Sequence, residues 1–174
     1  VAAVLEYYRR FLEAAPDVPA LAALPQDQLM KLWQGLGYYS RARNLQKAAK
    51  QITAGHQGVF PNTYEGIRSL AGVGDYTAGA ISSIAFGLPV PAVDGNVLRV
   101  IARITGDSGD IATSAMKRRV TAALAEVIPS DAPGDFNQAL MELGATICLP
   151  NGAPLCEKCP AAALCRAFQE GRTG

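Results

Sequence analysis

Apolar residues recur along this chain with helical spacing, and nearly every interruption is a glycine or a proline. That pattern leaves little besides a set of short packed helices. Residues 1–15, VAAVLEYYRRFLEAA, place Val1, Val4, Leu5, Tyr8, Leu12 and Ala15 on one stripe expected to face a core, and Pro16 ends the segment. The same reading predicts helices over about 27–35, 38–54, 63–70, 75–86, 95–105, 112–128 and 134–147. No stretch alternates in the manner of a strand. LPVPAV at 88–93 is the nearest approach, and its two prolines make it an extended linker. The expected class is therefore all-α, with the 87–93 linker dividing two helical lobes, 1–88 and 89–174. Trp33 and the Leu29, Met30, Leu32 set read as core. A chain of 174 residues that is 49% hydrophobic can bury such a core without staples.

Charge narrows the partners. Sixteen basic residues against fifteen acidic ones give a formal +1, which excludes the broad positive field of a nonspecific nucleic-acid coat. Any such contact must be local. Lys31, Arg41, Arg43, Lys47 and Lys50 form a basic run that suits a DNA-facing surface and suits a solvated helix face equally well. No run nears the roughly eighteen apolar residues of a membrane span, and no charged-then-apolar leader opens the sequence. The expectation is a cytoplasmic monomer away from any membrane, nucleoid-associated in a bacterium.

Residues 70–96, LAGVGDYTAGAISSIAFGLPVPAVDGN, carry the chemistry. Leu70 closes a helical turn, Gly72 and Gly74 permit positive φ around Val73, and Thr77-Ala78-Gly79-Ala80 restarts a helix. Amide groups directed outward at such a helix start form a nest for a phosphate without any cationic side chain. A bare GVG also marks an ordinary helix corner. Asp94 stands just ahead of Gly95-Asn96 at the next helix start, where N–H groups can hold it ionised beside a developing cation; a plain N-cap is the simpler alternative.

All four cysteines fall near the end, as Cys148-x7-Cys156-x2-Cys159-x5-Cys165. Four thiolates so close in sequence suit a metal better than disulfides in an intracellular chain. A 4Fe–4S cluster is preferred over zinc, because only Cys156 and Cys159 make a close pair and the other gaps are long and unequal. Lys158 and Arg166 could bring that loop to phosphates, or simply be solvated. His56, the one histidine, sits in the polar turn AGHQG and reads as a loop residue.

Together the LAGVGDYTAGA hairpin at about 64–86, the VDGNVLRV segment and the four-cysteine loop resemble the helix-hairpin-helix DNA glycosylases with an iron-sulfur cluster. GLGYYSRARNL at 35–45 and FNQALMELGATIC at 136–148 are similar to the adenine DNA glycosylase branch. The resemblance covers essentially the whole chain. It implies a six-helix barrel lobe and a cluster-bearing lobe, double-stranded DNA bound in the cleft between them, and hydrolysis of adenine from adenine opposite 8-oxoguanine. It departs from the family at Ala71, where a proline is usual, and at the first cysteine gap, which is one residue longer than is common.

Site roles follow from the same resemblance. Asp94 would stabilise an oxocarbenium-like sugar or form a transient adduct with it, and Asn96 and Gln138 match supporting polar positions. Tyr76 occupies the position where glycosylase-lyases carry a lysine, and a phenol cannot form their imine, so a monofunctional enzyme is expected. Leu36 and Tyr38 match residues that wedge into the base stack, while Gly72, Val73, Gly74 and Thr77 match the DNA-gripping hairpin. The family's catalytic glutamate falls a few residues before the position matching Val1, so this chain is expected to lack it and to be inactive by itself. Two rival readings are an endonuclease III-like glycosylase-lyase, which Tyr76 opposes, and a DNA-binding module without chemistry.

Overall fold

The computed structural model describes residues 2–173, and among them every regular element is helical. In chain order these are α1 (Ala2–Ala14), α2 (Val18–Ala23), α3 (Gln26–Leu32), α4 (Tyr39–Gly55), α5 (Tyr64–Arg68), α6 (Asp75–Phe86), α7 (Gly95–Thr105), α8 (Ser114–Val127), α9 (Pro133–Thr146) and α10 (Arg166–Gln169). Single 3₁₀ turns at Cys156–Lys158 and Ala162–Leu164 precede α10. Among the described residues no helix is long and apolar enough to cross a membrane. The chain forms two compact units, Val1–Val73 and Gly74–Gly174.

In the first unit Leu21, Leu24, Leu29, Ala42 and Ala49 form a core where α2, α3 and α4 meet. Helix α2 escapes a reading of periodicity because prolines 16, 19 and 25 crowd it. It forms because Asp17 caps it, accepting from the Ala20 amide at 2.8 Å, and because proline is tolerated in a first turn. Its open carbonyl end is closed from α4: the buried Gln46 amide donates to the carbonyls of Leu24 at 2.6 Å and Leu21 at 3.3 Å.

The predicted stripe of α1 is rotated. Val4, Leu5, Tyr8 and Leu12 are exposed, Ala15 at the end of the stripe is buried as expected, and the helix itself packs through Phe11, which the stripe did not include. Tyr7, one turn before Phe11, lies against Gly35. Residues 7, 11 and 15 share one face at i, i+4, i+8, which competes with the predicted set on nearly equal apolar terms. Val1 lies outside the described residues.

The second unit centres on α7 and α8, with Val97, Leu98, Ala102, Met116, Val120 and Leu124 buried together. The 87–93 linker, expected between lobes, runs inside this unit. Its carbonyl at Pro91 would sit 2.2 Å from a Cβ on Gly79, so α6 meets the linker only because residue 79 lacks a side chain. Asn137 of α9, fully buried, pins the same linker: its Oδ1 accepts from the Ala92 amide at 3.0 Å, and its Nδ2 donates to the Val90 carbonyl at 2.9 Å and the Ser83 hydroxyl at 2.8 Å.

Candidate active site and nucleic-acid interface

The linker ends on Asp94, which the fold uses as the N-cap of α7. Its Oδ1 accepts from the Val97 amide at 2.8 Å and its Oδ2 from Asn96 Nδ2 at 3.1 Å. Two donors and the positive end of an eleven-residue helix therefore face one carboxylate. Asn96 is itself oriented by Arg99, whose Nη2 donates to Asn96 Oδ1 at 2.9 Å and to the Gly144 carbonyl at 2.7 Å. Arg99 Nε donates to the Cys148 carbonyl at 2.9 Å. Gly144 allows this approach, since a Cβ there would lie 2.6 Å from that of Asn96.

Tyr76, on the first turn of α6, is 37% exposed and its hydroxyl lies 3.5 Å from Met141 Sδ. Burial, and after it the negative charge of Asp94, push its phenol above the usual value of 10.0, so it is a protonated donor at neutral pH. Gln138 is drawn away from this group: it is exposed, and its amide donates to the Gly134 carbonyl of its own helix at 3.2 Å. The buried polar residue of that stretch is its neighbour Asn137, which sequence reasoning passed over. The signal available was positional, because residue 137 falls on the inward face with Pro133, Gly134 and Gly144.

The turn residues lie where one unit ends and the next begins. In the first unit Gly72 has φ +75° and packs on Asn44, where a Cβ would come within 2.6 Å of the asparagine's own. The Ala71 amide donates to Gln51 Oε1 at 2.7 Å, and Arg68 Nη1 donates to the Val73 carbonyl at 3.0 Å. In the second unit Gly74 is the exposed N-cap of α6, and Thr77 sits half-buried in its first turn.

Leu36 and Tyr38 occupy the loop between α3 and α4. Leu36 is half-buried, whereas Tyr38 is 80% exposed at φ +46° and ψ 52°, a conformation costing a bulky residue about 1–2 kcal/mol. Lys31, Arg41, Arg43, Lys47 and Lys50 are all exposed in the same unit. His56 is exposed after the end of α4, as expected of a loop histidine.

All four cysteines are free thiols lining one apolar cavity beneath α7, with Val100, Ile104 and Leu143 among its walls. Arg103 Nη1 donates to Cys148 Sγ at 3.3 Å and to the Leu149 carbonyl at 2.9 Å. Burial, and then the other thiols together, push the Cys156 thiol up. Among the described residues no three His, Cys, Asp or Glu side chains converge tightly enough for a single ion.

A family model described as HhH-GPD superfamily base excision DNA repair protein matches residues 1–129. The chain is 43% identical over 175 residues to the adenine DNA glycosylase of Mus musculus, covering 100% of this chain and 34% of that protein. It is 38% identical over 168 residues to the adenine DNA glycosylase of Buchnera aphidicola subsp. Baizongia pistaciae, covering 97% of this chain and 47% of that one. The chain thus spans a third to a half of the length of these relatives. Among solved structures, a thermostable thymine-DNA glycosylase superposes with a TM-score of 0.86 at 29% identity, covering 96% of this chain and 76% of that one. A non-covalent endonuclease III–DNA complex superposes with a TM-score of 0.81 at 28% identity, covering 99% and 79%.

Proposed function

The chain belongs to the HhH-GPD superfamily of base excision DNA repair proteins, and from that membership we propose that it is the glycosylase module of an enzyme removing adenine opposite 8-oxoguanine or guanine. The observation that carries this reading is Asp94, a carboxylate fixed by two donors at the head of α7 with a protonated phenol nearby and no lysine at position 76. Cleavage breaks the bond between the sugar and adenine N9. The bonding pair leaves with the base, which needs a proton, and positive charge grows on the sugar. Asp94 stabilises that charge and water completes the hydrolysis. By the family resemblance, that proton would come from a glutamate at a position before the one matching Val1.

The same proposal gives the hairpin residues Gly72, Val73, Gly74 and Thr77 the DNA backbone, and gives Leu36 and Tyr38 the stack beside the 8-oxoguanine, where they offset the cost of extruding adenine. Tyr76 cannot form an imine, so the reaction stops at an abasic site. The test is a duplex carrying one adenine opposite 8-oxoguanine, incubated with the chain extended upstream of Val1. Free adenine is expected, with strand breakage only after alkali. Breakage without alkali would establish a lyase, and no adenine from an extended, DNA-binding chain would sink the reading.

The same proposal assigns a 4Fe–4S cluster to Cys148, Cys156, Cys159 and Cys165. The donor set fits: four thiols share one apolar cavity, and their unequal spacing, with Cys156 and Cys159 as the one close pair, favours a cluster over zinc. When bound, the cluster supplies a four-thiolate cross-link for the 148–165 loop. Because the Cys156 thiol is pushed up, loading requires loss of its proton and is weaker in acid. Anaerobic reconstitution with iron and sulfide is expected to give the broad visible charge-transfer band of a cluster, lost in a Cys156→Ser variant. Stoichiometric zinc with no such band would overturn the assignment.

A further inference from the structure

Trp33, expected as plain core, does something more specific. It ends α3 and is only half-buried, and its indole Nε1 donates to the Gly37 carbonyl at 2.9 Å. Its ring is fixed from behind by Phe11, edge-to-face at 6.2 Å and 76°. The Leu36 amide returns to the Trp33 carbonyl at 3.1 Å, closing a turn through Gly35. Between Trp33 and α4 three residues are left-handed: Gly35 at φ +96°, Gly37 at +68° and Tyr38 at +46°. Gly35 lies so close to Tyr7 that a Cβ would come within 2.6 Å of the tyrosine hydroxyl.

A loop with three such residues has many alternatives in solution, and ordering it on contact with DNA would weaken binding. Here one face is closed by Tyr7 and the other by the indole hydrogen bond. Resting on the wedge reading of Leu36 and Tyr38, we propose that Trp33 is a positioning residue that holds this tip in its inserting shape through the Gly37 carbonyl.

The test is a double-mutant cycle on binding, which needs no turnover. The probe is a duplex with a central adenine:8-oxoguanine pair and 2-aminopurine beside the 8-oxoguanine, whose fluorescence rises on unstacking. Trp33→Phe keeps an aromatic ring against Phe11 and removes the N–H. It is expected to weaken binding about tenfold, in line with one well-placed hydrogen bond, and to lower the fluorescence rise at saturation. In a background carrying both Leu36→Ala and Tyr38→Ala the same change should have no further effect, because both side chains of the tip it positions are gone. Equal losses in both backgrounds would make Trp33 a core residue only and overturn the proposal. A loss with Tyr38→Ala but none with Trp33→Phe would overturn the brace and leave the wedge standing. No change with Tyr38→Ala would remove both. Should Trp33→Phe lose its helical circular dichroism, benzothienylalanine at position 33, which replaces only the N–H by sulfur, gives the same comparison.

Discussion

Asp94→Asn is expected to reduce adenine release at least about 10²–10³-fold in the chain extended upstream of Val1, while affinity for the duplex changes little. The amide is the same size and can still cap α7 through one oxygen, so the Val97 bond at 2.8 Å survives. What disappears is a full negative charge beside a sugar becoming positive, together with one acceptor. Asn96 Nδ2, 3.1 Å from the carboxylate, would then meet either an oxygen taken from Val97 or a second amide nitrogen. That conflict should lower stability by about 1 kcal/mol, too little to unfold the chain. Single-turnover release with saturating enzyme separates chemistry from binding. A variant that released adenine at the full rate would reduce Asp94 to a capping residue.

Asn137→Ala has its largest effect on stability. The side chain is fully buried and satisfies the Ala92 amide, the Val90 carbonyl and the Ser83 hydroxyl. Truncation leaves the Ala92 amide and the Val90 carbonyl without this partner, each costing about 1–3 kcal/mol, and adds a cavity, while the Ser83 hydroxyl keeps the Gly79 carbonyl. A net loss of about 4 kcal/mol is expected, which for a chain of this size lowers Tm by roughly 8–16 °C. Asn137→Asp should fare no better, since it exchanges two donors for a buried charge. The released linker also leads straight into Asp94, so activity should fall even at temperatures where the variant stays folded. A melting point within about 2 °C of the parent would show that the linker is held by packing alone.

How much of this was legible beforehand differs from element to element, for physical reasons. Helices α4, α6 and α7 are long or well punctuated, and their predicted limits, 38–54, 75–86 and 95–105, fall within a residue of the observed ones. Helix α2 was not legible, because six residues among prolines carry no period and depend on a capping aspartate and on Gln46 from α4. The face of α1 was misread because a helix with apolar residues on two sides does not declare which side has a partner.

Locally, the cap at Asp94 and the helix start at Tyr76 could be read from sequence, because a cap and a glycine turn leave local marks. Asn137 could not, since its partners lie 45 to 54 residues away. Only the fold reveals that, of the two adjacent amides, Asn137 is buried and Gln138 exposed. Trp33 was recognised as apolar, but the hydrogen bond that gives it a task depends on the carbonyl direction of a loop.

The distances along the chain also bear on how the molecule is made. Arg99 waits for the Gly144 and Cys148 carbonyls, Arg103 for Leu149, and the linker into Asp94 for Asn137. A polypeptide emerging from the ribosome can wind α6 and α7 early, but it cannot fix Asp94 until α9 and the residues just beyond it have been synthesised. Maturation of the carboxylate is therefore a late event in biosynthesis, and a nascent chain halted before residue 137 would carry the aspartate without the surroundings that orient it.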